Sequence, residues 1–274
     1  MQLFNCTRKN LIGEGSHSVV FKAQFSYLNN PDIIPCAVKK LHTDIDSNNT
    51  GKNEFDILKL LHHDNIITLL SFQQDLESGH HLLVLELCDN ENLWSYQQLN
   101  PKLITENSFS RWARQLSSAI LYLKSKSVIH CDIKSHNILL TSDLEAKISD
   151  FGNSILLSKG FDDSNDGLGR GTLPFSAPEL LSESFSFSVD VYSFGVVLFT
   201  LLSGQLPFPG KSNMTILMGI KKGFFECGMQ RECWVYGNGC GVGRDVEYLI
   251  RRMVSKVSIN RPSCIELFEF WSAK

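Results

Sequence analysis

The chain has 274 residues, enough for one large domain or two lobes, and 43% of them are hydrophobic, so it can bury a sizeable core. Its formal net charge of −3 gives no general reason to expect a nucleic-acid partner. No apolar run reaches the roughly 18 residues of a membrane span, so we expect no span. The eight cysteines form no C-x-x-C pair, which favours free thiols and an intracellular location, in the cytoplasm, the nucleus or both.

The first third of the sequence is typical of β-structure. A strand, a glycine-rich turn and a second strand fit residues 11–23, and a third strand fits residues 35–41. Residues 66–72 and 80–87 are apolar runs separated by a turn-prone segment, which predicts an antiparallel pair. An apolar stripe between residues 55 and 61 predicts one helix. The pattern therefore predicts five strands and one helix.

Beyond residue 92 the pattern becomes helical. Apolar residues recur every three or four positions over 109–123, which predicts a helix with Ser108 as its N-cap. Residues 188–203 are apolar almost all round, as in a helix buried inside a lobe. Residues 245–254 and 263–271 predict two further amphipathic helices.

These patterns predict an α+β protein of two lobes within one domain, residues 1–274. The small lobe, residues 11–87, is rich in antiparallel strands. A short connection follows over residues 88–92, and residues 93–274 form a larger, mainly helical lobe. We find no internal repeat.

Six short motifs follow one another along the chain. They are residues 13–20 (GEGSHSVV), residues 37–39 (AVK), Glu54 in a helical stretch, residues 130–137 (HCDIKSHN), residues 150–152 (DFG) and residues 177–179 (APE). In this order they resemble the eukaryotic protein kinase family, from residue 11 to residue 271. The resemblance implies the bilobal kinase fold, ATP and Mg²⁺ as cofactors, and proteins as substrates.

The resemblance also implies where the nucleotide binds. Glycines in residues 13–20 would let backbone N–H groups approach the phosphates closely, and residues 85–88 align with the family's hinge, which contacts adenine. The residues assigned to the nucleotide are Ile12, Gly13, Glu14, Gly15, Ser16, His17, Ser18, Val19, Val20, Ala37, Lys39, Glu54, Glu86, Cys88 and Leu139.

Lys39 ends an alternating strand and would place its ammonium on the α and β phosphates, with Glu54 as its expected partner. Lys40 is a worse candidate because neighbouring residues of a strand point to opposite faces. Glu86 is a worse partner because it falls in the segment that joins the lobes.

The motif over residues 130–137 implies the catalytic residues. Asp132 would act as catalytic base on the acceptor hydroxyl, and Lys134 would neutralise charge on the transferring group. Asn137 and Asp150 supply the oxygen ligands that Mg²⁺ favours.

The resemblance gives three further residues a structural role. Thr172 is expected to hydrogen-bond to Asp132 and Lys134, Glu179 to pair with Arg261, and Asp190 to hold the backbone of the catalytic loop. Lys134 and the segment 171–179 resemble serine/threonine kinases, so the acceptors would be serine or threonine hydroxyls.

Two positions depart from the family pattern. Ser18 stands where a third glycine is usual, and Cys131 replaces the arginine before the catalytic aspartate. The catalytic loop is similar to those of Mos-like kinases, and the same loop, together with residues 190–195, is also similar to the tyrosine-kinase-like serine/threonine group. Two alternatives stay open: a pseudokinase scaffold that binds nucleotide and partners without efficient transfer, and a kinase of small-molecule hydroxyls. The oligomeric state is unknown.

Overall fold

The computed structural model describes residues 2–4, 8–15, 18–27, 30–41, 50–75, 79–157, 170–181, 186–208, 212–223 and 234–274. A small lobe built on an antiparallel sheet precedes a larger, mainly helical lobe, as the sequence predicts. Among the described residues, no helix is long and apolar enough to cross a membrane.

Among the described residues, the sheet of the small lobe has six strands, whereas the sequence predicted five. They are β1 (Gln2–Phe4), β2 (Leu11–Glu14), β3 (Ser18–Tyr27), β4 (Asn30–Leu41), β5 (Leu69–Gln74) and β6 (His81–Glu86). The order is β1-β3-β4-β6-β5, and β2 pairs with β3 beside residues 19–21, while β1 pairs with residues 24–26. The small lobe therefore begins before residue 11. Three residues are too few to show a strand period, so the sequence did not predict β1.

The lobe's one described helix, α1 (Thr50–Leu58), lies between β4 and β5 in the chain. The strand predicted from residue 66 begins instead at Leu69, because Ile66 forms an isolated bridge with Ile148 of the large lobe. This bridge ties the loop after α1 to the large lobe, next to the residues that precede Asp150.

Strand β4 alternates cleanly between two apolar clusters. Ala37 and Leu41 pack into the main core, whereas Cys36 and Val38 belong to a separate cluster on the other face of the sheet. Because side chains alternate along a strand, Lys39 shares the face of Ala37. This places its ammonium toward the large lobe.

The large lobe contains six described helices and four short strands. The helices are α2 (Leu93–Leu99), α3 (Glu106–Ser125), α4 (Ser188–Ser203), α5 (Asn213–Lys222), α6 (Arg244–Met253) and α7 (Cys264–Ser272). The strands are β7 (Val128–Ile129), β8 (Ile138–Leu140), β9 (Ala146–Ile148) and β10 (Ile155–Leu156), paired as β7 with β10 and β8 with β9. The sequence did not predict α2 or α5.

The predicted N-cap of α3 was wrong. Thr105 is the cap: its hydroxyl accepts a hydrogen bond from the Ser108 backbone N–H, and the Ser108 hydroxyl accepts one from the Thr105 N–H. Ser108 therefore lies inside the first turn, as the other half of a capping box. The apolar stripe begins only at Phe109, so the sequence pattern set the helix start one turn too late.

The prediction that α4 is buried on all sides is confirmed. Every residue of α4 from Val189 to Leu202 is buried. Gly195 lets α6 approach closely, since a Cβ there would stand 2.7 Å from the Cβ of Met253. Asp190 lies in the first turn of α4 and is buried with it.

Candidate active site

A cavity of about 610 Å³ lies between the sheet of the small lobe and the large lobe. It brings together most residues that the sequence assigned to the nucleotide and the metal: Ile12, Gly13, Glu14, Gly15, Ser18, Val20, Ala37, Lys39, Glu54, Glu86, Cys88, Asn137, Leu139 and Asp150. Two of the assigned residues, Ser16 and His17, lie outside the described residues.

One assigned residue, Val19, does not line this cavity. It pairs with Lys40 across β3 and β4, whereas the neighbouring Val20 pairs with Lys39. The strand period of two therefore turns Val20 toward the cavity and Val19 away from it. The sequence analysis assigned every residue of the motif over residues 13–20 to the nucleotide and did not apply this alternation.

Lys39 lies at the centre of an ionic triad. Its Nζ donates to Glu54 Oε1 at 2.9 Å and Oε2 at 2.7 Å, and to Asp150 Oδ1 at 2.7 Å. The Glu54 side chain is only 2% exposed, so its charge is almost wholly removed from water, whereas that of Asp150 is 43% exposed. Such a triad fixes the ammonium in the lining of the cavity.

Charge and burial oppose each other in this triad. Burial by itself lowers the pKa of Lys39, but the Glu54 and Asp150 carboxylates together raise it above its ordinary value. The Lys39 charge holds the pKa of Asp150 at about 2 against the effect of burial. Burial raises the pKa of Glu54, opposed by Lys39. Lys39 and Asp150 therefore both carry charge at neutral pH.

Lys40 and Glu86, which the sequence argument rejected as members of the pair formed by Lys39 and Glu54, make other contacts. Lys40 pairs with Asp75 at 2.9 Å on the opposite face of β4. Glu86 pairs with Lys147 at 2.9 Å and accepts the Thr68 backbone N–H, so its carboxylate serves the junction of the lobes. Both contacts agree with the sequence argument that neither residue is part of the Lys39 pair.

The connection between the lobes is tied to the large lobe. The Asn90 backbone N–H donates to Leu140 O, and the Asn92 side chain caps α2 by accepting the Ser95 N–H. Cys88 lines the cavity here, but burial raises the pKa of its thiol to about 12, so it stays protonated.

Asp132 lies at the centre of a second polar cluster. Its Oδ1 accepts the Thr172 hydroxyl at 2.8 Å, and its Oδ2 accepts Lys134 Nζ at 2.8 Å. Lys134 Nζ also donates to Thr172 Oγ1 at 2.8 Å, which closes the cluster. The two hydrogen bonds expected of Thr172 are thus present. Three of the four side-chain donors to this carboxylate share Oδ2, so a further hydroxyl would use the second acceptor position of Oδ1, beside Thr172.

The backbone around Asp132 is held from α4. Asp190 Oδ2 accepts the His130 backbone N–H at 2.7 Å, and its Oδ1 accepts that of Cys131 at 2.9 Å, as the sequence predicted. His130 Nδ1 accepts the Asp132 N–H at 3.2 Å, and Nε2 lies 3.1 Å from Ser149 O. These contacts hold Cys131 at a φ of 65°, which non-glycine residues rarely adopt.

The remaining oxygen donors suit a hard cation. Asn137 Nδ2 is committed to the Asp132 carbonyl at 3.0 Å and to Asp132 Oδ2 at 3.2 Å, which leaves its oxygen for a metal. Asp150 is ionised and partly exposed at the cavity. One carboxylate and one amide oxygen, completed by phosphate oxygens and water, match what Mg²⁺ prefers.

Three residues frame the turn Phe151–Asn153 after Asp150; sequence reasoning identified neither Asn53 nor Asn153, and named Arg170 only as a basic group that could replace the arginine missing at position 131. Asn53 Nδ2 donates to Gly152 O at 3.3 Å and Ser154 O at 2.8 Å, which joins α1 to this turn. Asn153 Nδ2 donates to Asp132 Oδ2 at 3.4 Å, and Arg170 Nη1 donates to Asn153 O at 3.1 Å. The only sequence signal was adjacency to Glu54, Asp150 and Thr172.

The expected pair of Glu179 and Arg261 is present. Arg261 Nη2 donates to Glu179 Oε2 at 2.8 Å, and its Nη1 reaches Oε1 and the Ser188 carbonyl. Arg261 is buried, so this bidentate contact ties the APE segment to the loop before α7.

The comparisons with known proteins agree with this geometry. A family model described as the protein kinase domain matches residues 6–270. Mitogen-activated protein kinase kinase kinase dlk-1 of Caenorhabditis briggsae is 32% identical over 261 residues, covering 95% of this chain and 27% of that protein. Protein STRUBBELIG-RECEPTOR FAMILY 5 of Arabidopsis thaliana is 36% identical over 76% of this chain and 29% of that protein.

A further relative, serine/threonine-protein kinase PLK4 of Drosophila yakuba, is 32% identical over 73% of this chain and 26% of that protein. The chain thus spans between about a quarter and three tenths of the length of these three relatives. Because the family model covers nearly the whole chain, the chain belongs to the protein kinase domain family.

Proposed function

We propose that the chain transfers the γ-phosphate of ATP to serine or threonine hydroxyls of protein substrates. The observation that carries the proposal is a pair of polar clusters, one lining the cavity and the other joined to it by the hydrogen bond from Asn137 to Asp132. Lys39 bridges Glu54 and Asp150 on one side, and Asp132 holds Lys134 and Thr172 on the other. Phosphoryl transfer asks mainly for positioning and charge neutralisation, and these clusters are suited to both.

The nucleotide lies, in this proposal, with adenine against the connection near Cys88, between Val20 and Ala37 above and Leu139 below. Lys39 contacts the α and β phosphates, and the backbone of residues 13–15 and 18 covers them. The same apolar and backbone groups line the cavity, which supports this placement. Ser18 retains its backbone N–H, so its replacement of glycine removes no donor.

Asp132 accepts the proton of the acceptor hydroxyl while that oxygen forms its bond to the γ-phosphorus. The bond between the γ-phosphorus and the bridging β–γ oxygen breaks, and ADP leaves with the electron pair. Lys134 neutralises charge on the phosphoryl group in transit. Its contact with Asp132 at 2.8 Å supports this role, since it already lies beside the base.

Mg²⁺ would be held by Asn137 and Asp150 and would neutralise negative charge on the phosphates. The oxygen chemistry of these two residues and the low pKa of Asp150 support the assignment. Lys39 already pairs with Asp150, so the chain's own contribution is to keep that carboxylate ionised and oriented.

Protein acceptors, rather than small molecules, are supported by the names of the relatives, which include a serine/threonine-protein kinase. The complete Lys39, Asp132 and Asp150 set favours catalysis over a pseudokinase scaffold. We keep an intracellular location as part of the proposal, on the cysteine spacing alone. The relatives' names do not separate a Mos-like kinase from the tyrosine-kinase-like group.

The proposal is tested by incubating the purified chain with Mg-ATP labelled at the γ-phosphate and with generic protein and small-molecule acceptors. We expect label on serine and threonine of the protein acceptors. Label on small molecules alone would support the alternative that the chain is a kinase of small-molecule hydroxyls. Nucleotide binding without any transfer would support the pseudokinase scaffold and overturn the proposal.

A second expected result concerns phosphorylation of the segment between Asp150 and Glu179. Ser158 and Ser164 of that segment lie outside the described residues, and Ser154 is buried, with its hydroxyl donating to His130 O. Cys131 is buried and carries no charge, because burial holds the pKa of its thiol well above the ordinary value. It cannot bind a phosphate as an arginine does.

We therefore expect phosphatase-treated enzyme to phosphorylate a protein acceptor about as fast as untreated enzyme. The measurement is the initial rate before and after treatment, with mass spectrometry to confirm that phosphate was removed. A fall of roughly tenfold or more, about 1.4 kcal/mol of barrier, that is reversed by rephosphorylation within residues 153–176 would contradict this expectation.

A further inference from the structure

A cationic residue from a distant part of the sequence, Arg170, lies near Cys131. Cys131 is 2% exposed, and its Sγ lies 3.8 Å from Ile129 O. Burial raises the pKa of this thiol, and the positive charge of Arg170 acts against that rise. Gly171, which follows the half-buried Arg170, lies against the Cys131 carbonyl, so Arg170 enters the site next to position 131.

Arg170 joins the two ends of the segment that follows Asp150. Its Nη1 donates to the backbone carbonyl of Asn153, 17 residues earlier, at 3.1 Å. Asn153 ends the turn directly after Asp150. The contact is a charge-assisted hydrogen bond, which is stronger than one between neutral groups.

Both of these ends contact the proposed catalytic base. Asn153 Nδ2 donates to Asp132 Oδ2 at 3.4 Å, and Thr172, two residues after Arg170, donates to Oδ1 at 2.8 Å. Gly171, between them, has a φ of 83°, and a Cβ there would stand 2.5 Å from Cys131 O. The backbone from 170 to 172 is therefore pressed against the catalytic loop.

We propose that Arg170 is a positioning residue that holds Asn153 and Thr172 against Asp132. It orders this segment without phosphate, whereas an arginine at position 131 would order it by binding a phosphate. This inference rests on the proposed kinase function and names a mode of regulation for the same site. Arg170 touches neither nucleotide nor acceptor in this proposal. It acts by closing the two ends of the segment on the base.

The first test compares Arg170→Gln, which removes the charge, with Arg170→Lys, which keeps it. We expect Arg170→Gln to lower kcat about tenfold or more with KM for ATP changed less than about twofold. Arg170→Lys should recover most of the rate. Arg252→Gln, on the exposed face of α6, is the matched control and should behave as wild type. An unchanged kcat in Arg170→Gln would overturn the inference, as would equal losses in kcat and ATP affinity.

A double-mutant cycle separates positioning from general stabilisation. If Arg170 acts partly through the Asn153 side chain, Arg170→Gln should cost less in an Asn153→Ala background than in wild type. If the losses of rate from the two substitutions multiply independently, Arg170 and Asn153 do not act together. That outcome would reject a role of Arg170 through the Asn153 side chain. Arg170→Gln should also lower the rate of phosphatase-treated enzyme. A loss confined to phosphorylated enzyme would make Arg170 a phosphate receptor instead and would overturn the phosphate-free role.

Amide hydrogen exchange supplies a readout that does not depend on activity. We expect faster exchange over residues 151–157 in Arg170→Gln than in wild type, with Arg170→Lys and Arg252→Gln unchanged. Unchanged exchange in Arg170→Gln would overturn the inference. If wild type transfers no phosphate, the proposed function fails, while the exchange result still decides whether Arg170 closes this segment.

Discussion

Asp132→Asn and Asp150→Asn are each expected to remove most phosphotransfer, but with different effects on nucleotide binding. Asp132 contacts Lys134 and Thr172 and makes no contact with Lys39. Loss of a general base typically costs about 10²- to 10⁴-fold in rate, and Mg-ATP affinity should stay near that of wild type. Asp150 pairs directly with Lys39 and faces the cavity. Its neutralisation should weaken Mg-ATP binding as well as the rate.

The two effects are separated by measuring kcat together with the Kd of Mg-ATP by calorimetry. Asp143→Asn is the matched control, because Asp143 lies exposed in the turn between β8 and β9. Equal nucleotide affinity in Asp132→Asn and Asp150→Asn would contradict the assigned roles. Retained activity in both would reject the mechanism itself.

The residues of the candidate site could be proposed from the sequence because they lie in short motifs that resemble those of a known family. Lys39, Glu54, Asp132 and Asp150 each occur beside a recognisable strand or helix pattern, and the structure brings all of them to one site. Lys39 was chosen because it ends the motif over residues 37–39, and the strand period placed Lys40 on the opposite face. The same period, applied to the neighbouring strand, would have excluded Val19.

The remaining features depend on packing between distant segments. Asn53, Asn153 and Arg170 meet only because α1, the turn after Asp150 and the segment before Thr172 converge in space. Nothing in their spacing along the chain indicates this convergence. Helix α5 has exposed methionines, Met214 and Met218, and a glycine packed against Phe208, so its pattern is not that of an ordinary amphipathic helix.

The ends of elements were the least predictable. The N-cap of α3 is Thr105 rather than Ser108, although both residues are good caps by type. Only the reciprocal hydrogen bonds distinguish the cap from its partner inside the first turn. Strand β1 is similarly defined by its pairing with β3 and by nothing in its own three residues.

Lys39→Met is expected to abolish phosphotransfer and also to lower stability without unfolding the domain. The substitution removes the ammonium that would stabilise the charge developing on the phosphates during transfer. It also leaves the Glu54 carboxylate, which is 2% exposed, without its cation. Removing one partner of a buried ion pair costs about 3–5 kcal/mol. We expect the lower end, because the Glu54 carboxylate also accepts the Phe151 backbone N–H.

The stability loss should depend on pH in a defined direction. Burial raises the pKa of Glu54, and loss of Lys39 removes the main opposing effect. The folded state of Lys39→Met then binds a proton on Glu54 more tightly than the unfolded state does. The penalty is therefore largest at alkaline pH and shrinks as pH falls through the raised folded pKa. Lys39→Met with Glu54→Gln should lose the part of this dependence that Glu54 supplies, while Asp150, which also loses the Lys39 charge, still titrates.

Denaturant unfolding at pH 5 and pH 8, followed by tryptophan fluorescence, measures these differences. The double variant should regain stability at pH 8 and none of the activity, because the phosphates still lack their cation. Lys40→Met is the matched control: its partner Asp75 is partly exposed, so the change should cost less than about 1 kcal/mol and leave the rate nearly unchanged. If Lys40→Met proves inactive and Lys39→Met active, the cation that acts on the phosphates is not the one which Glu54 and Asp150 hold.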